Sequence, residues 1–228
     1  MPNWNTDNEL FDLLKRELFT AVVGDVMDDI GLFHQFLPRQ IQPLRDDMTV
    51  IGRAMPVHEA DYGDKAPYEK GRDKPFGLMF KALDDLNEGE VYISTGASPT
   101  YALWGELMSL QAMKQKAVGA VVNGVSRDTH GILKLNFPTF STGRYAQDQG
   151  VRGRVIDFRC SIMFPNGVEV TPGDIIFGDI DGVVVVPKEN EEDIVSRALD
   201  KVRGENMVRQ SIEKGMSSQE AFDTYGIM

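Results

Sequence analysis

Arg127 and Asp128 stand side by side in the stretch VVNGVSRDTHG, residues 121–131, just past an apolar run that stops at a glycine. A guanidinium offers a planar fork of donors that suits a carboxylate. A carboxylate is a hard oxygen ligand that suits magnesium or manganese. The two together could hold an anion and a divalent cation at one place. Glu106 precedes Arg127 with twenty residues between them. A helix and a returning strand can bring such a residue back beside the pair, where a second carboxylate can orient water or move a proton. The bland alternative is a solvated surface ion pair, and residue type alone does not separate the two.

The elements that must position these groups follow from the surrounding pattern. Residues 101–117, YALWGELMSLQAMKQKA, predict a helix, and residues 118–124 predict a buried strand. That strand leaves Arg127 and Asp128 beyond its carboxyl end, where open α/β sheets carry ligands. If the helix begins at Gly105, its first N–H groups lack internal partners and can hold a carboxylate. If it begins a few residues earlier, Gly105 is a packing glycine. Two helices are expected in residues 5–31, capped by Thr6 or Asp7 and by Thr20. Strands are expected at 48–60, 89–96, 137–143 and around Cys160 in DFRCSIMF. Residues 58–77, polar and broken by Gly and Pro, predict a loop insertion. Asn166-Gly167 and Asp181-Gly182 predict hairpins, and residues 171–174 a further turn. A long helix after Pro187 and Asn190 and a capping box from Ser217 to Glu220 complete a mixed α/β chain with helical ends.

Composition removes several classes of function. The net charge of −11 and pI near 4.8 argue against nucleic acid and anionic membranes as partners. They leave room for a small anionic substrate in a locally positive pocket. The single cysteine rules out an internal disulfide framework and predicts a cytoplasmic setting. The amphipathic start is unlike a signal peptide, and no stretch reaches eighteen apolar residues. His34, His58 and His130 form no HExxH, and CxxC is absent, which disfavours a zinc site built from His or Cys. Asp25, Asp28 and Asp29 share a helix face but suit cap and surface roles better than a metal site. P-loop, dinucleotide and Gly-x-Ser-x-Gly motifs are missing.

The run WGELMSLQAMKQKAVGAVVNGVSRDTHGI, residues 104–132, resembles the signature of the RraA-like family. That family includes class II 4-hydroxy-4-methyl-2-oxoglutarate / 4-carboxy-4-hydroxy-2-oxoadipate aldolases and the regulator of ribonuclease E activity. TAVVGDVMDDIG, PGDIIFGDIDGVVVVP and the C-terminal ENMVRQSIEKGMSSQEAFDTYGI are similar to further family segments. The resemblance implies a single RraA-like domain over residues 1–228, an α/β/β/α sandwich with N- and C-terminal helices and 58–77 as an insertion. It implies homotrimers or hexamers with active sites between subunits. It places the metal, magnesium or manganese, on Asp128 and the pyruvyl carboxylate and C2 oxygen on Arg127. Substrate contacts fall on Gly105, Glu106, Leu107 and Met108. Catalytic roles fall on Glu106, Arg127 and, from a neighbouring subunit, Glu205. Two positions depart from the family pattern: Glu106 stands where Asp is usual, and Gly131 where an acid is frequent. The implied activity is cleavage of a 4-hydroxy-2-oxo acid to pyruvate, with oxaloacetate decarboxylation. The alternative is a non-catalytic regulator that binds a ribonuclease or another protein. Methyl transfer to demethylmenaquinone is discounted because a glycine-rich S-adenosylmethionine loop is absent.

Overall fold

The computed structural model describes residues 4–62 and 75–226, so residues 63–74 of the expected insertion lie outside it. Helix α1 (Asp7–Glu17) starts where the Thr6 side chain accepts from the Glu9 N–H, so Thr6 rather than Asp7 is the cap. Leu10, Leu13 and Leu14 bury one face of it. Helix α2 (Thr20–Asp29) corrects an expectation. Thr20 lies inside the helix and does not cap it; Phe19 precedes it without a side-chain cap bond. The Thr20 N–H and hydroxyl both donate to Asp179, at 2.8 and 2.7 Å, so the cap arrives from a strand 159 positions away.

Three sheets share the strands. They run β1 (Gln42–Pro43), β2 (Val50–Asp61), β3 (Glu90–Thr95), β4 (Ala102–Trp104), β5 (Gly119–Val122), β6 (Val125–Ser126), β7 (Thr139–Ser141), β8 (Gly143–Arg144) and β9 (Gly153–Phe158). Then come β10 (Ile162–Met163), β11 (Glu169–Val170), β12 (Ile175–Asp179) and β13 (Gly182–Val186). The large sheet has the order β1-β7-β5-β3-β2-β12-β13, with β9 paired to the outer end of β2. Its centre, β2-β3-β5-β7, is parallel; β12 and β9 meet β2 antiparallel. The small sheet β4-β6-β8 is parallel throughout. β10 and β11 form the hairpin expected at Asn166-Gly167, and β12 and β13 the one at Asp181.

Alternation along the strands divides the core. Val184 and Val186 of β13, with Ile175 and Phe177 of β12, pack against α1, α2 and α6 (Glu191–Glu213). Val183, Val185 and Ile176 face the other core, with Tyr92, Trp104 and Phe140. That second side carries the small sheet and the short helices α3 (Met79–Asp84), α4 (Glu106–Lys114) and α5 (Thr129–Leu135). Helix α7 (Ser218–Tyr225) follows α6 and has the expected capping box. The result is the layered α/β/β/α architecture. No helix of the described residues is long and apolar enough to cross a membrane.

Four expectations are corrected. Residues 102–104 are a strand rather than the start of a helix, because Ala102, Leu103 and Trp104 are all buried and pair with β6. Arg127 and Asp128 follow β6, not β5, since a second short strand intervenes. His58 to Asp61 belong to β2, hydrogen-bonded to β9; the alternation of exposed His58 and buried Glu59 is a half-buried strand hidden by its charges. Cys160 lies beyond β9, after Arg159 has turned to a φ of 55°, partly buried against the core.

Asp179→Ala removes the carboxylate that caps α2 and also accepts from the Asp181 N–H at 3.0 Å. Loss of such a cap costs about 1–2 kcal/mol. The urea midpoint should fall accordingly, with the slope of the transition unchanged; an unshifted midpoint would show the cap to be dispensable.

Candidate active site

The site grows from the junction of β4 with α4. Gly105 has extended backbone that any residue adopts and gives α4 no side-chain cap. What fixes the helix start is a buried relay: the Trp104 indole N–H donates to the Ser109 hydroxyl at 2.8 Å, and that hydroxyl donates to the Gly105 carbonyl at 3.1 Å. The first N–H groups of α4 are therefore left for an external acceptor. A side chain at Gly105 would press on the charged pair. A Cβ built there would lie 2.9 Å from Asp128 Oδ2 and 3.6 Å from Arg127 Cγ.

The parallel pairing of β4 with β6 delivers the charged pair. The Arg127 N–H donates to the Trp104 carbonyl at 2.9 Å, so Arg127 is held one residue from Gly105 across the ladder. Asp128 follows at φ 54° and ψ 31°, the left-handed region that Asp tolerates better than most residues. It opens α5, yet its side chain makes no cap bond there. Its carboxylate has Arg127 Nε at 3.6 Å and is half exposed, so lone pairs remain for a ligand. Strained residues of this kind gather at functional sites.

A cleft of about 590 Å³ opens beside this pair. Gly105, Leu107, Met108, Arg127 and Asp128 line it together. Glu106 does not. Its carboxyl turns towards α5, where a Cβ at Gly131 would meet Glu106 Oε2 at 2.4 Å. Glu205 lies on α6, which packs on α1, α2 and α7, and is not among the residues lining the cleft. Asp25 pairs with Lys201 at 2.9 Å, consistent with a surface role. His130 is exposed on α5. Among the described residues, no three His, Cys, Asp or Glu side chains gather as a preformed metal cage.

Sequence reasoning missed two residues. Asp148 Oδ1 lies 2.9 Å from Arg127 Nη1 and holds the guanidinium at a different nitrogen from the one nearest Asp128. Gln149 lines the cleft and donates to Glu59 Oε2 at 2.7 Å. Both sit in the irregular stretch YAQDQG, where neither periodicity nor a motif marks them. Glu59 is fully buried, and burial pushes its carboxyl up to about 8, against which the Gln149 hydrogen bond works only in part. Burial likewise raises the Tyr92 phenol. Glu59 Oε1, the Tyr92 hydroxyl and the Ser94 hydroxyl complete no hydrogen bond of ordinary geometry among the described residues, although the Glu59 carboxyl and the Tyr92 phenol are close enough to shift one another.

Comparison with known proteins places this geometry. The RraA-like family model, described as Aldolase/RraA, matches residues 20–185. Protein DlpA of Legionella pneumophila is 28% identical over 207 residues, 90% of this chain; the chain spans 32% of the length of DlpA. The 4-hydroxy-4-methyl-2-oxoglutarate aldolase of Thermus thermophilus is 25% identical over 150 residues, 62% of this chain and 89% of that protein. The crystal structure of Streptomyces coelicolor RraAS2, described as an unusual member of the RNase ES inhibitor RraA protein family, has a TM-score of 0.76 at 22% identity. That likeness covers 91% of this chain and 99% of the other and concerns the fold.

Glu59 makes a pH-dependent contribution to stability whose sign is fixed. Its folded pKa lies above its ordinary value of 4.5, so its contribution is whole below that value and is lost as pH rises towards about 8. Glu59→Gln keeps an acceptor for Gln149 and removes the titration. Relative to wild type, the variant should gain stability steadily between these limits, at up to roughly 1.4 kcal/mol per pH unit. Urea unfolding of both proteins across that range measures it; a constant difference would remove the assignment.

Proposed function

The chain belongs to the RraA-like family, and from that premise we propose that it is a divalent-metal-dependent carbon–carbon lyase. It cleaves a 4-hydroxy-2-oxo acid to pyruvate and also decarboxylates oxaloacetate. The observation that carries this reading is the convergence of Arg127, Asp128 and the Gly105 helix start at one mouth of a cleft. The donor set suits magnesium or manganese, which take one or two carboxylates and keep several waters. Asp128 supplies a half-exposed carboxylate that keeps lone pairs beyond its 3.6 Å contact with Arg127, and the absence of a Cβ at Gly105 leaves it approachable. When bound there, such a cation supplies Lewis-acid stabilisation of charge developing on the substrate oxygen.

Arg127 binds the pyruvyl carboxylate and C2 oxygen with the guanidinium edge that Asp148 leaves free. The N–H groups of Glu106, Leu107 and Met108 hold the same group from the helix start. On cleavage the C3–C4 bond breaks, its electron pair becomes the pyruvate enolate, and the C4 hydroxyl loses a proton as a carbonyl forms. Positive groups aimed at the enolate oxygen lower that barrier, often the largest single catalytic contribution. Glu106, acting across water from its place over Gly131, and Glu205 contributed by a second copy are the carboxylates for proton transfer. The enolate is then protonated at C3. Oxaloacetate decarboxylation passes through the same enolate, with carbon dioxide leaving in place of the carbonyl product. A trimer or hexamer in the cytoplasm is the setting this reading expects.

The second reading is a non-catalytic regulator of a ribonuclease or another protein. The net charge of −11 and the fold shared with RraAS2 favour it. Against it stands the convergence of Arg127 and Asp128 on an open cleft, which a binding surface does not need.

Pyruvate release from 4-hydroxy-2-oxo acids, and oxaloacetate decay under magnesium titration, separate the two readings. Chelation should abolish turnover, and magnesium or manganese should restore it. Arg127→Ala and Asp128→Asn should each lower kcat/KM by about a hundredfold or more with unchanged circular dichroism. Asn suits the left-handed backbone at 128, so Asp128→Asn isolates the charge. Full activity in either variant would remove that residue from the mechanism. Gly131→Ala displaces only the flexible end of Glu106. It should leave the melting temperature within a few degrees while lowering kcat more than it changes KM; an unchanged kcat would detach Glu106 from proton transfer.

A further inference from the structure

Arg127 and Asp128 border two spaces. One is the cleft of about 590 Å³. The other is a recess of about 290 Å³ that the pair shares with Ser126, Thr129, Arg144 and Tyr145. The small sheet builds it. Ser126 of β6 is the parallel partner of Arg144 on β8, and the Tyr145 N–H donates to the Ser126 carbonyl at 2.9 Å. The backbone thus carries Arg144 beside the residue that precedes Arg127. Arg144 is also oriented. Its Nη2 donates to the Leu44 carbonyl at 2.8 Å, while the residue stays exposed. Leu44 is itself buried, and its N–H donates to the Thr139 carbonyl of β7 at 2.9 Å. That anchor occupies one guanidinium nitrogen with a neutral acceptor and leaves an edge of the fork for an anion.

Two guanidiniums therefore border one small recess on a chain whose net charge is −11. A local concentration of positive charge draws anions against the field of the whole protein, and a cation on Asp128 would strengthen it. A fork already oriented loses little freedom when it binds. We propose that the recess takes the far end of the substrate, and that Arg144 holds an anionic group there, a carboxylate or a phosphate. The assignment rests on the lyase reading for the placement of the keto-acid head at Arg127. It makes Arg144 the residue that sets the preference beyond the bond that breaks. Oxaloacetate needs no separate head position. The carboxylate it loses is bonded to C3, whereas the group assigned to Arg144 is bonded to C4 or a later carbon.

The test is a calorimetric comparison of three unreactive acids on the full chain with magnesium: 2-oxoglutarate, 2-oxo-4-phosphonobutanoate and 2-oxopentanoate. They share a keto-acid head and a two-carbon spacer and end in carboxylate, phosphonate and methyl. The better of the two anionic acids should bind about tenfold or more tighter than 2-oxopentanoate, and which of them wins tells carboxylate from phosphate. Arg144→Gln should cut that ratio to near one. Arg144→Lys, which keeps the charge and loses the fork, should retain part of it. Equal binding of all three acids by the wild type overturns the recess. So does a ratio that Arg144→Gln leaves intact, which would put the second charge elsewhere. A ratio lost together with a change of molecular mass in solution also overturns it, because Arg144 would then serve an interface between copies. Should loss of the Leu44 contact unfold Arg144→Gln, Arg144→Lys decides, and an undiminished ratio there overturns the fork. Pyruvate release assayed in parallel keeps the two proposals apart. Turnover with a preference for uncharged far ends sinks only the recess. An Arg144-dependent anion preference without turnover sinks only the lyase. Binding of none of the acids, with no turnover, sinks both.

Discussion

One hydrogen bond organises the site: the Arg127 N–H to the Trp104 carbonyl, at 2.9 Å. It closes the short parallel ladder between β4 and β6 and brings residues more than twenty positions apart into register. On one side of it the chain turns at Gly105 into α4. On the other it turns at Asp128 into α5. Two helix starts, a guanidinium and a carboxylate thus share one small sheet edge. Trp104 is itself immobilised, 1% exposed, packed on Tyr92 and Phe137 and tied through Ser109 to Gly105. The precision needed to place charges within hydrogen-bond reach of a small substrate is borrowed from the core behind them.

That dependence explains which parts of the site could be read from the sequence. The large sheet, the terminal helices and the Asn166-Gly167 hairpin announce themselves through apolar runs, caps and turn dipeptides. Arg127, Asp128 and Gly105 stand out by type and spacing. The strands that align them do not. β6 has two residues and β4 three, too short for a period, and the apolar stretch 101–104 merges into the helical pattern that follows. The cap of α2 by Asp179 and the clamp of Asp148 on Arg127 link positions that only the folded chain brings together. Charge hid the end of β2 as well: His58, Glu59 and Asp61 look like loop, yet Glu59 is wholly inside.

Glu59 shows how far the support of the site reaches. It holds Gln149, the neighbour of Asp148, and Asp148 in turn holds Arg127. The chain of contacts runs from the buried outer end of β2 towards the guanidinium. Arg127 therefore presents an anion with an edge already oriented by two acids, and an oriented donor loses less freedom when it binds than a free one. The same two acids reduce its net attraction for a second negative charge.

Glu106 and Gly131 are best understood as a single feature. Taken separately, each departs from the pattern of the related aldolases: an acid one methylene longer, and a glycine where a side chain is frequent. In the fold they fill one space. The Glu106 carboxyl lies where any side chain at 131 would begin, so a long acid on α4 occupies the space that a bare backbone on α5 leaves. A carboxylate is thus kept between the two helices even though the residue frequently supplying one from α5 is gone. Two positions that stand twenty-five residues apart along the sequence become, in three dimensions, one packing feature.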